Sequence, residues 1–194
     1  MTRSAHAGSS SRRLGDLAPA SPRIPDHLIT SNPGSTRVPA PHTDEEVRAL
    51  VAMLSAAAAS TICVGHGRHA TSRATARAIA DAWAGHGGTV VGSVDWPEHA
   101  ASWLKPARRL VETQPDAWVI VDTPAGCAQL AGRLAEHESW SAARTFGTAS
   151  LDTPYAAALS AFGVLDGMRG VTSRDASWRI GYGLLIHEAP IRLC

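Results

Sequence analysis

Short apolar runs recur along this chain at a spacing of about 28 residues: Thr61-Ile62-Cys63-Val64, Thr89-Val90-Val91, Ala117-Trp118-Val119-Ile120-Val121 and Thr145-Phe146-Gly147-Thr148. Each is followed by a stretch of helical periodicity. After the first, Ile79 and Trp83 stand four apart. After the second come Ala100, Trp103, Ala107 and Leu110, and after the third Cys127, Leu130 and Leu134. Runs this short and this apolar suit strands buried on both faces, and a helix between successive strands is what a parallel crossover requires. The pattern predicts a doubly wound α/β domain. Pro106 falls inside the second of these helices and is expected to kink or divide it.

The flanks are less regular. A helix is predicted from Asp44 to about Ala59, capped by Thr43 or Asp44, with Val47, Leu50, Val51 and Leu54 on its apolar face. Before it, residues 1–42 hold six of the twelve prolines and several serine-rich stretches, and read as largely disordered, with His27 to Thr30 as one short strand. Residues 43–172 then form the α/β unit, with Gly167 to Thr172 as a fifth, edge strand. Residues 173–194 form a C-terminal hairpin and tail, in which Trp178-Arg179-Ile180 and Leu184-Leu185-Ile186 flank the Gly181-Tyr182-Gly183 turn.

Composition narrows the function classes. Eighteen basic against seventeen acidic residues, a net charge of +1, gives no electrostatic case for nucleic acid as the main partner. No apolar run approaches the roughly 18 residues that would cross a bilayer, and the first 30 residues lack the apolar core of a secretory signal. The chain as written is therefore expected to stay in the cytoplasm. Cys63, Cys127 and Cys194 have no CxxC spacing, so neither a disulfide framework nor a zinc knuckle is expected.

Several motifs invite chemistry, each with a plain alternative. Gly65-His66-Gly67-Arg68-His69-Ala70 matches G-x-G-x-x-A between a strand and a helix, and Asp95 would meet a ribose hydroxyl if a dinucleotide sat there. A plain tight turn is the preferred reading, because Asp95 stands 30 residues beyond Gly65, where about 20 is usual, and His66 and Arg68 crowd the place where a pyrophosphate would approach the backbone. His66, His69, His86 and His99 lie near one another in sequence, but no carboxylate or thiolate joins them at ligand spacing, and no metal is expected. No nucleophile has a visible base, so no catalytic residue is assigned. Asp122-Thr123-Pro124 and Asp152-Thr153-Pro154 repeat 30 residues apart at predicted strand-to-helix turns. They serve either as helix caps or as ligand contacts at the carboxyl ends of parallel strands. Trp96 either lines a cleft or staples a helix start.

Taken in order, the helix from Asp44, the Thr61 to Val64 strand, the Gly65 to Ser72 turn, Gly87-Gly88-Thr89-Val90-Val91, Asp95-Trp96, the Pro115-Asp116-Ala117 block with its apolar run, and Arg144 to Leu151 resemble the second lobe of type 1 periplasmic binding proteins. The nearest kind is the branched-chain amino-acid substrate-binding protein of ABC transporters, and lactose-repressor-type regulators share the lobe. The resemblance spans roughly residues 27 to 172. It implies a non-enzymatic, cofactor-free lobe that binds a small, amino-acid-like molecule in transport or sensing. By position, the contacts are Thr71 and Ser72, Asp95 and Trp96, Asp122 and Thr123, and Ser150 and Asp152. The aromatic usual in the first turn is replaced near Thr71. Family members are usually exported, and 194 residues leave no room for a first lobe. The expected states are thus a truncated remnant, a lobe pairing with a second lobe or copy, or a protein whose start lies upstream. A nucleotide-dependent Rossmann-like enzyme and a protein interaction module are the alternatives from other classes.

Overall fold

The computed structural model describes residues 24–97, 102–174 and 176–188. Seven strands form one sheet in the order β2-β1-β3-β4-β5-β6-β7. They are β1 (Thr61–Gly67), β2 (Thr89–Trp96), β3 (Ala117–Val121), β4 (Thr145–Gly147), β5 (Arg169–Val171), β6 (Ser177–Gly181) and β7 (Leu184–Glu188). The first five run parallel, while β6 pairs antiparallel with both β5 and β7. The helices are α1 (Asp26–Thr30), α2 (Asp44–Ala56), α3 (Ala70–Gly85), α4 (Leu104–Glu112), α5 (Pro124–Leu134) and α6 (Pro154–Leu159).

The central strand β3 is buried throughout, and its alternation divides the core. Ala117, Val119 and Val121 point to α2 and α3, joining Leu50, Leu54, Ile79 and Trp83. Trp118 and Ile120 point to the other face, joining Trp103, Leu110, Cys127 and Leu130 of the α4 and α5 layer. Both faces of the parallel sheet are therefore covered, the condition that the short apolar runs demanded.

Four local expectations change. His27 to Thr30 lie in helix α1, not a strand: Thr30 Oγ1 donates to the Asp26 and His27 carbonyls, and Ser31 Oγ to that of His27, so side chains satisfy the backbone locally with no strand alongside. Strand β5 sits between β4 and β6 instead of at the edge, because the hairpin continues the sheet. Pro106 neither kinks nor divides its helix. Trp103 is the N-cap, so proline occupies the first turn, where its missing N–H has no intrahelical partner to lose; Ala100 lies outside the described residues. Finally, Gly65 and Gly67 belong to β1 itself, which ends only at Gly67.

Candidate functional site

The parallel strands end together, with β1 and β3 adjacent and their following helices α3 and α5 both beginning there. The crossover from β1 goes outward to β2, and the next returns past β1 to β3. This reversal of direction is the place where open α/β sheets hold ligands.

At that point the Asp122 side chain lies buried, 1% exposed, immediately after β3. The indole of Trp96, itself fully buried at the end of β2, donates its Nε1–H to Asp122 Oδ2 at 2.6 Å. Gly67 of β1 and Gly126 of α5 press so closely on the carboxylate that a Cβ at either would collide with it. Thr123 caps α5 by accepting the Gly126 N–H at 3.1 Å, with Pro124 at the first helical position. Ser150 Oγ donates to the Asp122 carbonyl at 2.9 Å and lies 2.9 Å from Thr148 Oγ1. Trp96, Asp122, Thr123 and Ser150 are thus brought together, three of them as buried structure. Trp96 is core: it packs edge-on against Trp103 and fills the space above Gly65, whose added Cβ would come 2.8 Å from the indole.

The remaining expected residues stand apart. Thr71 and Ser72 occupy the first turn of α3, and neither hydroxyl has a hydrogen-bond partner among the described residues. Asp95 turns outward and accepts a hydrogen bond from Arg68 Nε at 2.5 Å, and that bond, with the guanidinium charge behind it, holds its carboxyl below the ordinary value. Asp152 lies 2.6 Å from His187 Nε2 on β7. The repeated Asp-Thr-Pro is resolved in the same way twice: threonine is the cap, and the two aspartates have unrelated partners. Among the described residues no group of three His, Cys, Asp or Glu is placed to hold a metal. Of the histidines, His66 Nδ1 lies 2.8 Å from its neighbour's carbonyl, His86 pairs with Ser55 Oγ at 2.8 Å, and His99 lies outside the described residues. Burial pushes the Cys63 thiol up to about 11 and Cys127 higher still, so neither is a nucleophile at neutral pH.

A pocket of about 300 Å³ opens beside this knot, over the ends of β3 and β4. Glu46, Thr75, Thr148, Ser150 and Thr153 form its polar wall, and residues 37–41 pass over it, bringing Arg37 to the lining. Glu46 is 5% exposed and accepts the Ala149 N–H at 2.9 Å; burial is the leading effect on its carboxyl and raises its pKa. Sequence reasoning missed Glu46, Thr75, Thr148 and Thr153 as pocket residues. The one available signal was T-x-x-E at Thr43 to Glu46, a capping-box spacing that places a glutamate at a helix entrance. A second pocket of about 320 Å³, lined by Arg68, Asp95, Lys105 and Arg109 among others, lies over the ends of β1 and β2.

No protein-family model matches the chain, and no curated protein matches it in sequence. Solved structures do match it in shape. A branched-chain amino acid ABC transporter periplasmic ligand-binding protein from Burkholderia xenovorans LB400 superposes with a TM-score of 0.57 at 17% identity, over 66% of this chain and 34% of that one. An extracellular ligand-binding receptor from Rhodopseudomonas palustris gives 0.61 at 14%, over 69% and 36%. A solute binding protein of an ABC transporter from R. palustris, solved in complex with benzoate, gives 0.56 at 13%, over 65% and 34%. The chain has the fold of a periplasmic-binding-protein lobe. The match spans about a third of each of those proteins. In this lobe the glycines of the G-x-G-x-x-A stretch make room for Trp96 and Asp122 within the sheet, a different use from a phosphate-holding turn. Among the described residues no helix is long and apolar enough to cross a membrane.

Proposed function

We propose that this lobe binds a small, amino-acid-like molecule without chemical conversion, in transport or sensing, in the pocket over β3 and β4. The observation that carries the reading is the composition of that pocket. A buried carboxylate, Glu46, and the hydroxyls of Thr75, Thr148, Ser150 and Thr153 sit on the lobe side, with the guanidinium-bearing Arg37 on the crossing segment. Opposite charges across a cavity of this volume, which is at the lower end of the range for ligand pockets, suit a small zwitterion. Its ammonium would face Glu46 and its carboxylate Arg37. The periplasmic ligand-binding proteins of similar fold support the reading.

The test is a thermal-shift and calorimetric screen of the full chain against amino acids, benzoate and related carboxylates, nucleosides and nicotinamide cofactors. Ligand at about 100 times its Kd should stabilise the fold by about 2.7 kcal/mol. A saturable shift with a zwitterion that weakens in Arg37→Gln and Thr148→Ala supports the proposal. A response confined to dinucleotides, or none across the panel, refutes it.

A further inference from the structure

A different surface carries its own ligand chemistry. The exposed face of α4 presents Lys105, Arg108 and Arg109, with Glu112 one turn further on. These positions follow the i, i+3, i+4, i+7 spacing that aligns side chains on one side of a helix. Beside them Arg68 projects from the turn after β1, its guanidinium fixed by Asp95 at 2.5 Å. One depression of about 320 Å³ lies between the helix and the turn, and an adjoining one of about 450 Å³ lies along α4 alone; the two share Ser102, Lys105 and Arg109. Neither shares a residue with the pocket over β3 and β4. Among the described residues, four cationic side chains line this groove against two carboxylates, Asp95 and Glu112. A chain with balanced total charge has gathered a local positive field.

We propose that the groove between α4 and the β1–α3 turn binds a small, multiply charged anion, a phosphate-bearing molecule or a polycarboxylate. Size argues for a small anion. The nine residues of α4 extend about 14 Å at the usual helical rise, so the cationic strip ends within one small molecule's length. Charge argues for more than one negative group, because the cations approach from two elements and a single carboxylate already neutralises part of Arg68. Arginine forks at two of the sites can each take two oxygens of a carboxylate or phosphate, and Lys105 adds a compact charge between them.

The experiment titrates the full chain with sodium phosphate, citrate and acetate at constant ionic strength, following calorimetric heats and amide NMR shifts. Phosphate or citrate should saturate with shifts centred on α4 and Arg68, and acetate should bind far more weakly. The Lys105→Gln/Arg109→Gln variant changes only exposed side chains and should keep its circular dichroism while losing about tenfold in affinity. Arg73→Gln/Arg77→Gln on α3 removes the same charge elsewhere and should bind as the parent does. Equal loss in both variants would reduce the effect to general electrostatics and overturn the proposal. So would acetate binding as tightly as citrate, or no saturation with either multivalent anion. Because the pocket over β3 and β4 is untouched by these substitutions, the zwitterion reading stands or falls separately.

Discussion

Asp122 was legible in the sequence as a residue at a strand end, and its neighbours explain why its role was not. A carboxylate this buried needs donors close by, and it obtains the Trp96 indole from 26 residues upstream. No local pattern announces such a pairing. The same holds for Gly67, which looked like part of a phosphate turn and instead leaves space for that carboxylate. Gly67→Ala should therefore cost about 1–3 kcal/mol of stability in urea unfolding, through overpacking against a side chain that cannot withdraw to solvent. An unchanged midpoint would show that Asp122 has room to shift. Asp116 illustrates a second kind of residue effect. Its carboxylate accepts the Ser60 and Thr61 N–H groups and the Thr61 hydroxyl, at 2.8 to 2.9 Å, and the Ser60 bond is the first cause of its lowered pKa. A carboxyl whose folded pKa lies below the ordinary 3.8 adds stability above that value and loses it as pH falls through the depressed one. Asp116→Asn should thus cost about 1 kcal/mol at pH 7, a modest figure because the site is exposed, and the penalty should disappear in acid. Paired unfolding curves at pH 7 and at the lowest pH where both proteins fold check the sign.

At the scale of elements, the 28-residue spacing foretold β1, β2, β3 and β4 and the helices after the first three, because a buried strand and a covering helix both write their periods into the sequence. It failed where an element is too short to show a period. Five residues are enough for α1 to satisfy its backbone with Thr30, Ser31 and Asn32 side chains, but too few to display a face. The pocket's threonines were hidden for a related reason: Thr75 reads as one more residue of α3, and Thr148 as the end of a strand, until the turns converge. Two substitutions test the element-level account. Gly132 lies within α5 with nothing within 4 Å of where a Cβ would stand, so Gly132→Ala should stabilise the chain by about 0.5–1 kcal/mol. Thr43 caps α2 by accepting the Glu46 N–H at 3.1 Å, and Thr43→Ala should cost about 1 kcal/mol. Thermal midpoints moving in opposite directions for the two variants would support both assignments, and a destabilised Gly132→Ala would show that α5 is packed more tightly there than the geometry indicates.

For the molecule as a whole, Trp178 anchors the hairpin in the core of the parallel sheet. Trp178 of β6 is fully buried, donates its Nε1–H to the Val171 carbonyl at 3.0 Å, and fills the space over Gly147, whose added Cβ would come 2.7 Å from it. Its ring belongs to the same core cluster as Trp96, Trp103 and Trp118. The sheet has no internal break where β5 meets β6, since three residue pairs join them in antiparallel register. Strands sharing one core should unfold together, and the buried tryptophans report that core directly. Tryptophan emission and far-ultraviolet circular dichroism should therefore give the same midpoint in urea. Replacing Trp178 by Phe should lower both midpoints by the same amount, as expected when a large buried side chain and its hydrogen bond are lost from a single cooperative unit. If the hairpin were an appended piece, emission would instead change in two steps and the first would vanish in the variant, leaving the parallel strands to melt at their original midpoint.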